Sequence, residues 1–220
     1  MVNEPHAEEA ARLAHEHPRL CVGLHLTLCS GRAAKCSGLT NTRGEFEVSP
    51  TKAGLRYFFR RSLESDLSAE ITRQFEKFRA LGFAPSYWDG HTHLHLHPRI
   101  LRLSVPIAHA HGFRFVRLVR EPSPRSALGH IFAGLSRAAV WRLQSDAIAF
   151  CDHVCGLHET RRMTTAAFHR ILEKLPDGLT EIYSHPGADP EALDPQSVHP
   201  SLARHRIRLT HALNQLRIAD

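Results

Sequence analysis

No run of apolar residues in this chain approaches the length of a bilayer span, so a membrane-spanning helix is not its organising element. Its cysteines are five, Cys21, Cys29, Cys36, Cys151 and Cys155, and none forms a CxxC pair. An odd number at that spacing indicates neither a disulfide framework nor a zinc ribbon, and reduced thiols in a cytoplasmic setting are the expectation. Glu4, His6, Glu8 and Glu9 interrupt the start of the chain before a signal-peptide core could form. The formal charge is +6 and the pI about 9.4, but Lys and Arg are scattered and no nucleic-acid motif is present. Basicity alone does not make a nucleic-acid partner the expectation. Internal repeats and low-complexity segments are also missing.

What remains is an ordinary globular composition, 42% hydrophobic and 23% charged over 220 residues. That length suits one sizeable core, read as a single domain over 1–220. A helix is expected over 5–17, opened by Pro5 and ended by Pro18. A buried strand follows over 20–28, then a long Gly-, Ser- and Thr-rich loop over 29–50 and an aromatic cluster at Tyr57, Phe58 and Phe59. Leu67, Ile71, Phe75 and Phe78 recur at helical spacing, with Gly82 suited to the helix end. Further strands are expected over 87–95, 113–118, 147–154 and 179–184. Helices are expected from Pro98 toward His111, through Leu143, over 164–175, and in places beyond Pro200. Strands alternating with helices of this length point to βα units around a parallel sheet or barrel.

Histidine is where the sequence departs from the ordinary: there are eighteen, and four occupy alternate positions in Asp89-Gly90-His91-Thr92-His93-Leu94-His95-Leu96-His97. An extended strand would put Asp89, His91, His93, His95 and His97 on one face. Imidazole is a common ligand for borderline metals and titrates near neutral pH. Same-face residues on a strand lie roughly 6.6–7 Å apart, whereas zinc–nitrogen bonds are about 2.0–2.1 Å. Three histidines of one straight strand therefore cannot share an ion, and ligands must come from separate strands. His25, within Gly23-Leu24-His25-Leu26-Thr27, and His91 are the natural pair. A satisfied core histidine at 25 and a metal-free polar lining at 91–97 stay open as alternatives. Asp89 can orient an imidazole through its second N–H or cap a strand end. His185, held extended by Pro186, can donate a proton to a leaving group. Arg117, Arg120 and Glu121 flank a strand end, as substrate contacts or as a surface ion pair. Asp152-His153 is a further candidate dyad, and Cys151 and Cys155 read as packing residues.

Three stretches together resemble the YdjC-like carbohydrate deacetylase family: Val22-Gly23-Leu24-His25-Leu26-Thr27-Leu28, Asp89-Gly90-His91-Thr92-His93-Leu94-His95 and Glu181-Ile182-Tyr183-Ser184-His185-Pro186. Ala53-Gly54-Leu55-Arg56-Tyr57-Phe58-Phe59 and Val116-Arg117-Leu118-Val119-Arg120-Glu121-Pro122 resemble the branch associated with hopanoid biosynthesis. The resemblance implies an irregular (β/α) barrel, a divalent ion (magnesium, with zinc as the alternative) and hydrolysis of the N-acetyl group of an amino sugar. It implies His25 and His91 as metal ligands and His185 as general acid. His93, His95, Arg120 and Asp89 would line the substrate or support the ligands. The partner implied is a small carbohydrate, with homodimerisation left open.

The family also implies a first strand ending in paired aspartates, one a metal ligand and one the general base, and no such pair occurs in this sequence. The expectation is therefore a barrel without its first βα unit, an open edge beside the strand of His25, and impaired hydrolysis. A non-enzymatic metal- or sugar-binding remnant of the fold is the alternative.

Overall fold

Leu67, Ile71, Phe75 and Phe78 lie along one side of a helix, are all buried, and form the centre of the main core. Phe75 meets Trp88 and Phe113 edge-on at ring-centre distances of 5.8 and 4.9 Å, which joins this helix to the strand and loop beneath it. The helix ends at Gly82, whose φ of +86° is the left-handed conformation the sequence assigns to a glycine there.

The computed structural model describes residues 1–124, 126–160, 163–185, 208–211 and 215–216. In chain order its elements are α1 (Ala7–His15), β1 (Leu24–Leu26), α2 (Pro50–Phe59), α3 (Glu64–Ala80), β2 (Tyr87–Gly90), α4 (Pro98–Ala110), β3 (Phe115–Val116), α5 (Ala127–Ser145), β4 (His153–Cys155), α6 (Thr165–Leu172), β5 (Thr180–Ser184), β6 (Arg208–His211) and β7 (Gln215–Leu216). No helix among the described residues is long and apolar enough to cross a membrane.

The fold is mixed α/β with parallel sheets. Strands β1, β2 and β3 pair in parallel in that order, with His25 opposite Asp89. Strands β4, β5 and β6 continue in parallel, and β7 adds an antiparallel edge. A parallel bridge between Phe115 and Ala149, and a 3.0 Å hydrogen bond from the Val154 N–H to the Arg120 carbonyl, stitch the two sheets together. A second, smaller cluster of Met163, Ala167, Phe168, Leu172 and Ile182 packs α6 onto β5.

Three expectations need correction. Among the described residues the strands do not close into a barrel. They are two to five residues long, and beyond β1 the neighbour is a helix. There the Gln74 side-chain amide of α3 accepts from the Thr27 N–H at 2.9 Å and donates to the Thr27 carbonyl at 2.8 Å. A buried side chain thus satisfies, at that residue, backbone groups that an adjacent strand would otherwise pair. Second, the expected strand over 87–95 stops at Gly90. Third, the described part of the chain beyond Pro200 is extended rather than helical: β6 lies along β5, whose edge supplies hydrogen-bond partners. Pro186, expected to hold His185 extended, lies outside the described residues.

Candidate active site

The register of β1 against β2 builds the site's base. With His25 opposite Asp89, the His25 Nδ1 lies 2.6 Å from the Asp89 Oδ1. Both side chains are largely enclosed, at 14% and 4% exposure. The second Asp89 oxygen is paired with the Arg117 guanidinium. Burial works against charge on Asp89, but Arg117 and His25 outweigh it and hold the carboxyl far below the usual carboxylate range. An ionised Asp89 only accepts, so His25 carries its proton on Nδ1 and leaves the Nε2 lone pair free.

That free nitrogen faces His91. The His25 Nε2 and His91 Nδ1 are 3.4 Å apart, with the rings edge-on at a centre distance of 5.5 Å. Burial, reinforced by neighbouring His25, pushes the His91 imidazole down to about 4, so it is neutral at physiological pH. The contact is an N–H···N hydrogen bond in one tautomer of His91 and a pair of facing lone pairs in the other. Two zinc–nitrogen bonds of about 2.1 Å at a tetrahedral angle would separate their nitrogens by about 3.4 Å. The pair therefore fits two positions of one ion. Among the described residues no three His, Cys, Asp or Glu side chains converge as a metal-holding group. Asp89 lies on the far side of the His25 ring, on Nδ1, and orients that imidazole without facing His91.

The other histidines of the run diverge. After Gly90 the chain turns into a short 3₁₀ segment, His91–Leu96, in which Thr92 and His93 have φ of +52° and +59°. A Cβ on Gly90 would lie 2.7 Å from the His95 Cβ, so only glycine lets the turn fold back so tightly. The shared face expected of an extended strand does not form. His93 stacks edge-on against Phe132 and Tyr183, at 5.1 and 5.7 Å, with its Nε2 3.5 Å from the Tyr183 hydroxyl. His95 is fully buried and hydrogen-bonds the Arg117 carbonyl at 2.8 Å. His97 sits edge-on against the half-exposed Phe58 of α2. Only His91 of the four reaches His25, so His93 and His95 are walls and supports.

His185 follows β5 directly, is exposed, and lies edge-on to Tyr183 at 5.8 Å. Its charge is close enough to contribute to the lowering at His91. Arg120 is half-buried, and its carbonyl joins the sheets as described. Asp152 is not a pocket residue: it accepts from the Leu179 N–H at 2.9 Å and caps the turn before β5. Glu121 accepts from the Leu157 and His158 N–H groups at 3.0 and 3.3 Å.

Sequence reasoning underrated Arg117 and left out Glu181. Arg117 is 2% exposed, not part of a surface pair, and its Nε donates to the Glu181 Oε1 at 2.7 Å. The signal was available: one arginine after Phe115-Val116 and one glutamate in Thr180-Glu181-Ile182-Tyr183 each interrupt a strand of otherwise buried residues. Buried opposite charges on neighbouring strands must find each other.

A profile of the family described as YdjC-like protein matches residues 1–217. The chain belongs to the YdjC-like family. Within reach of it are carbohydrate deacetylases. One from Geobacillus stearothermophilus is 32% identical over 189 residues, covering 84% of this chain and 65% of that protein. One from Homo sapiens is 30% identical over 210 residues, covering 85% of this chain and 64% of the relative. A chitooligosaccharide deacetylase from Serratia marcescens is 34% identical over 135 residues, covering 58% and 50%. The chain thus spans about two thirds of the length of the first two relatives. A crystal structure of an Enterococcus faecalis protein, described as a candidate cellobiose-phosphate cleavage protein, superposes with a TM-score of 0.62 at 16% identity, covering 96% of this chain and 84% of that one. At that identity the likeness speaks to the fold. The stretches containing His25, Asp89, His91 and Glu181 all lie inside the matched range of the family.

Proposed function

We propose that this chain forms the core of a carbohydrate deacetylase that hydrolyses the N-acetyl group of an amino sugar or related conjugate with the help of a divalent ion. The observation that carries the reading is the His25–His91 couple, 3.4 Å apart, with His25 oriented by Asp89 at 2.6 Å. His25 through Nε2 and His91 through Nδ1 would hold the ion, which supplies Lewis-acid polarisation of the amide carbonyl. Two imidazole nitrogens favour zinc or another borderline ion over magnesium, which prefers oxygen ligands. Asp89 keeps the His25 proton on the nitrogen that faces away from the reaction. His185, at the exposed end of β5, is the proton donor to the departing amine. We assign the chain to the hopanoid-associated branch on residues 53–59 and 116–122.

A second reading has a specific observation in its favour: Asp89 is committed to His25 and Arg117, and among the described residues no further carboxylate joins the imidazole pair. A site so equipped can bind without turning over. We therefore expect weak hydrolysis by these 220 residues alone. Titration of the purified chain with Zn²⁺, paired with acetate release from N-acetylated chitooligosaccharides, tests both readings. Zinc binding that falls at least about tenfold in His91→Ala, with measurable acetate release, supports the deacetylase. Binding without release supports the second reading. Zinc binding indifferent to His91→Ala removes both.

A further inference from the structure

Behind Asp89 lies a buried part of the site that does not face the imidazole couple. Arg117 reaches from the end of β3 to Asp89 on β2 on one side and to Glu181 on β5 on the other. Its Cζ lies 5.0 Å from the centre of the Tyr183 ring, so the guanidinium is also covered by an aromatic face. Its backbone is held by the same segments it serves: the Arg117 N–H donates to the Trp88 carbonyl at 3.1 Å, and the Arg117 carbonyl takes the His95 hydrogen bond at 2.8 Å.

Stability alone is a poor reason for this arrangement. Taking three charged groups out of water costs about as much as their mutual attraction returns, and apolar residues of the same volume often serve a core as well. Two features point to the histidines instead. The guanidinium occupies Asp89 Oδ2, which leaves Oδ1 as the oxygen that meets His25 Nδ1. The same guanidinium also meets Glu181, so Asp89 is tied through Arg117 to the neighbouring sheet.

We propose that Arg117 and Glu181 are positioning residues for the histidine couple. They fix the plane of the Asp89 carboxylate, hence the tautomer and aim of His25. The proposal rests on the two-imidazole reading given above, but its central readout does not need turnover.

The test uses the full chain with Arg117→Lys and Glu181→Gln, each checked for folding by circular dichroism. A lysine keeps the charge but not the planar fork that meets two carboxylates at once. Nitrogen-15 NMR of the histidine rings reports the His25 tautomer, and titration with Zn²⁺ reports the pocket. We expect a Nδ1-protonated His25 in the parent chain. In Arg117→Lys we expect a mixture of tautomers and about tenfold weaker zinc binding. Glu181→Gln should act in the same direction with a smaller loss of affinity, since Glu181 reaches Asp89 only through Arg117. Folded variants with an unchanged tautomer and unchanged zinc Kd overturn the proposal. So does failure of both variants to fold, which would make the trio a structural clamp. A tautomer shift in a chain that binds no zinc upholds the positioning role while removing the metal reading.

Discussion

At residues 25 and 89 the backbone is a regular parallel pair, and two side chains meet because the register brings them opposite one another. Three residues further on, at Thr92 and His93, φ is +52° and +59°, and four histidines that alternate in sequence no longer share one face. The first region reaches its chemistry through ordinary sheet geometry. The second does so by leaving the sheet, with Gly90 as the pivot. His91 belongs to both: it is the first residue beyond the strand, and the turn swings it back over His25. The regular half supplies an oriented imidazole, and the irregular half supplies its neighbour.

The largest expected effect comes from breaking the regular half. Asp89→Asn removes one charge from the buried trio and leaves Arg117 with Glu181 alone. Loss of one partner from a buried pair costs about 3–5 kcal/mol, to be read from the urea midpoint at constant m-value. A cost near zero would mean that solvent already reaches Asp89.

Acid tests the irregular half. Burial pushes His95 down to about 4 from its ordinary 6.5. The folded chain therefore binds this proton less readily than the unfolded chain does, and stability rises with pH between those two values. Conversely, His95 contributes a loss of about 3 kcal/mol as pH falls from near 6.5 toward 4, an order-of-magnitude conversion of its depressed pKa. His91 adds to the trend. The pH–stability curve of His95→Gln should be visibly flatter over that window, and an identical slope would show that His95 is not buried neutral.

The smallest effect concerns the backbone itself. A β-branched residue at positive φ is strained, and Thr92 is exposed. Asn tolerates the left-handed region, so Thr92→Asn should stabilise the chain by about 0.5 kcal/mol and raise the Tm by about 1–2 °C. An unchanged or lower Tm would show that the turn is not strained at this residue.

These contrasts explain what could be read from the sequence. Helix α3 was legible because Leu67, Ile71, Phe75 and Phe78 repeat at one period and bury one face. The closeness of His25 and His91 was legible because alternate positions of one strand lie too far apart for their side chains to meet at one point, which points to a partner on another segment. The path of 91–97 was not, since alternation is the pattern of a strand and nothing local announces two consecutive left-handed residues. Gly90 was the one hint, and its meaning depends on where His95 comes to rest. The pairing of Arg117 with Glu181 across 64 residues was hidden for another reason. Each charge is unremarkable alone and becomes informative only when both strands are known to be buried and adjacent. Barrel closure was expected from the alternation of strands and helices, but alternation does not specify what lies beyond the outermost strand.

What lies there, beside Thr27, is Gln74, and its place in the fold matters more than its modest chemistry suggests. One amide on α3 occupies backbone groups that could otherwise recruit an extended segment from another molecule. Replacing it with an aliphatic residue would leave the interior as greasy as before while unmasking a template for intermolecular pairing, so the damage would show first as precipitation on concentrating the protein rather than as a lost function.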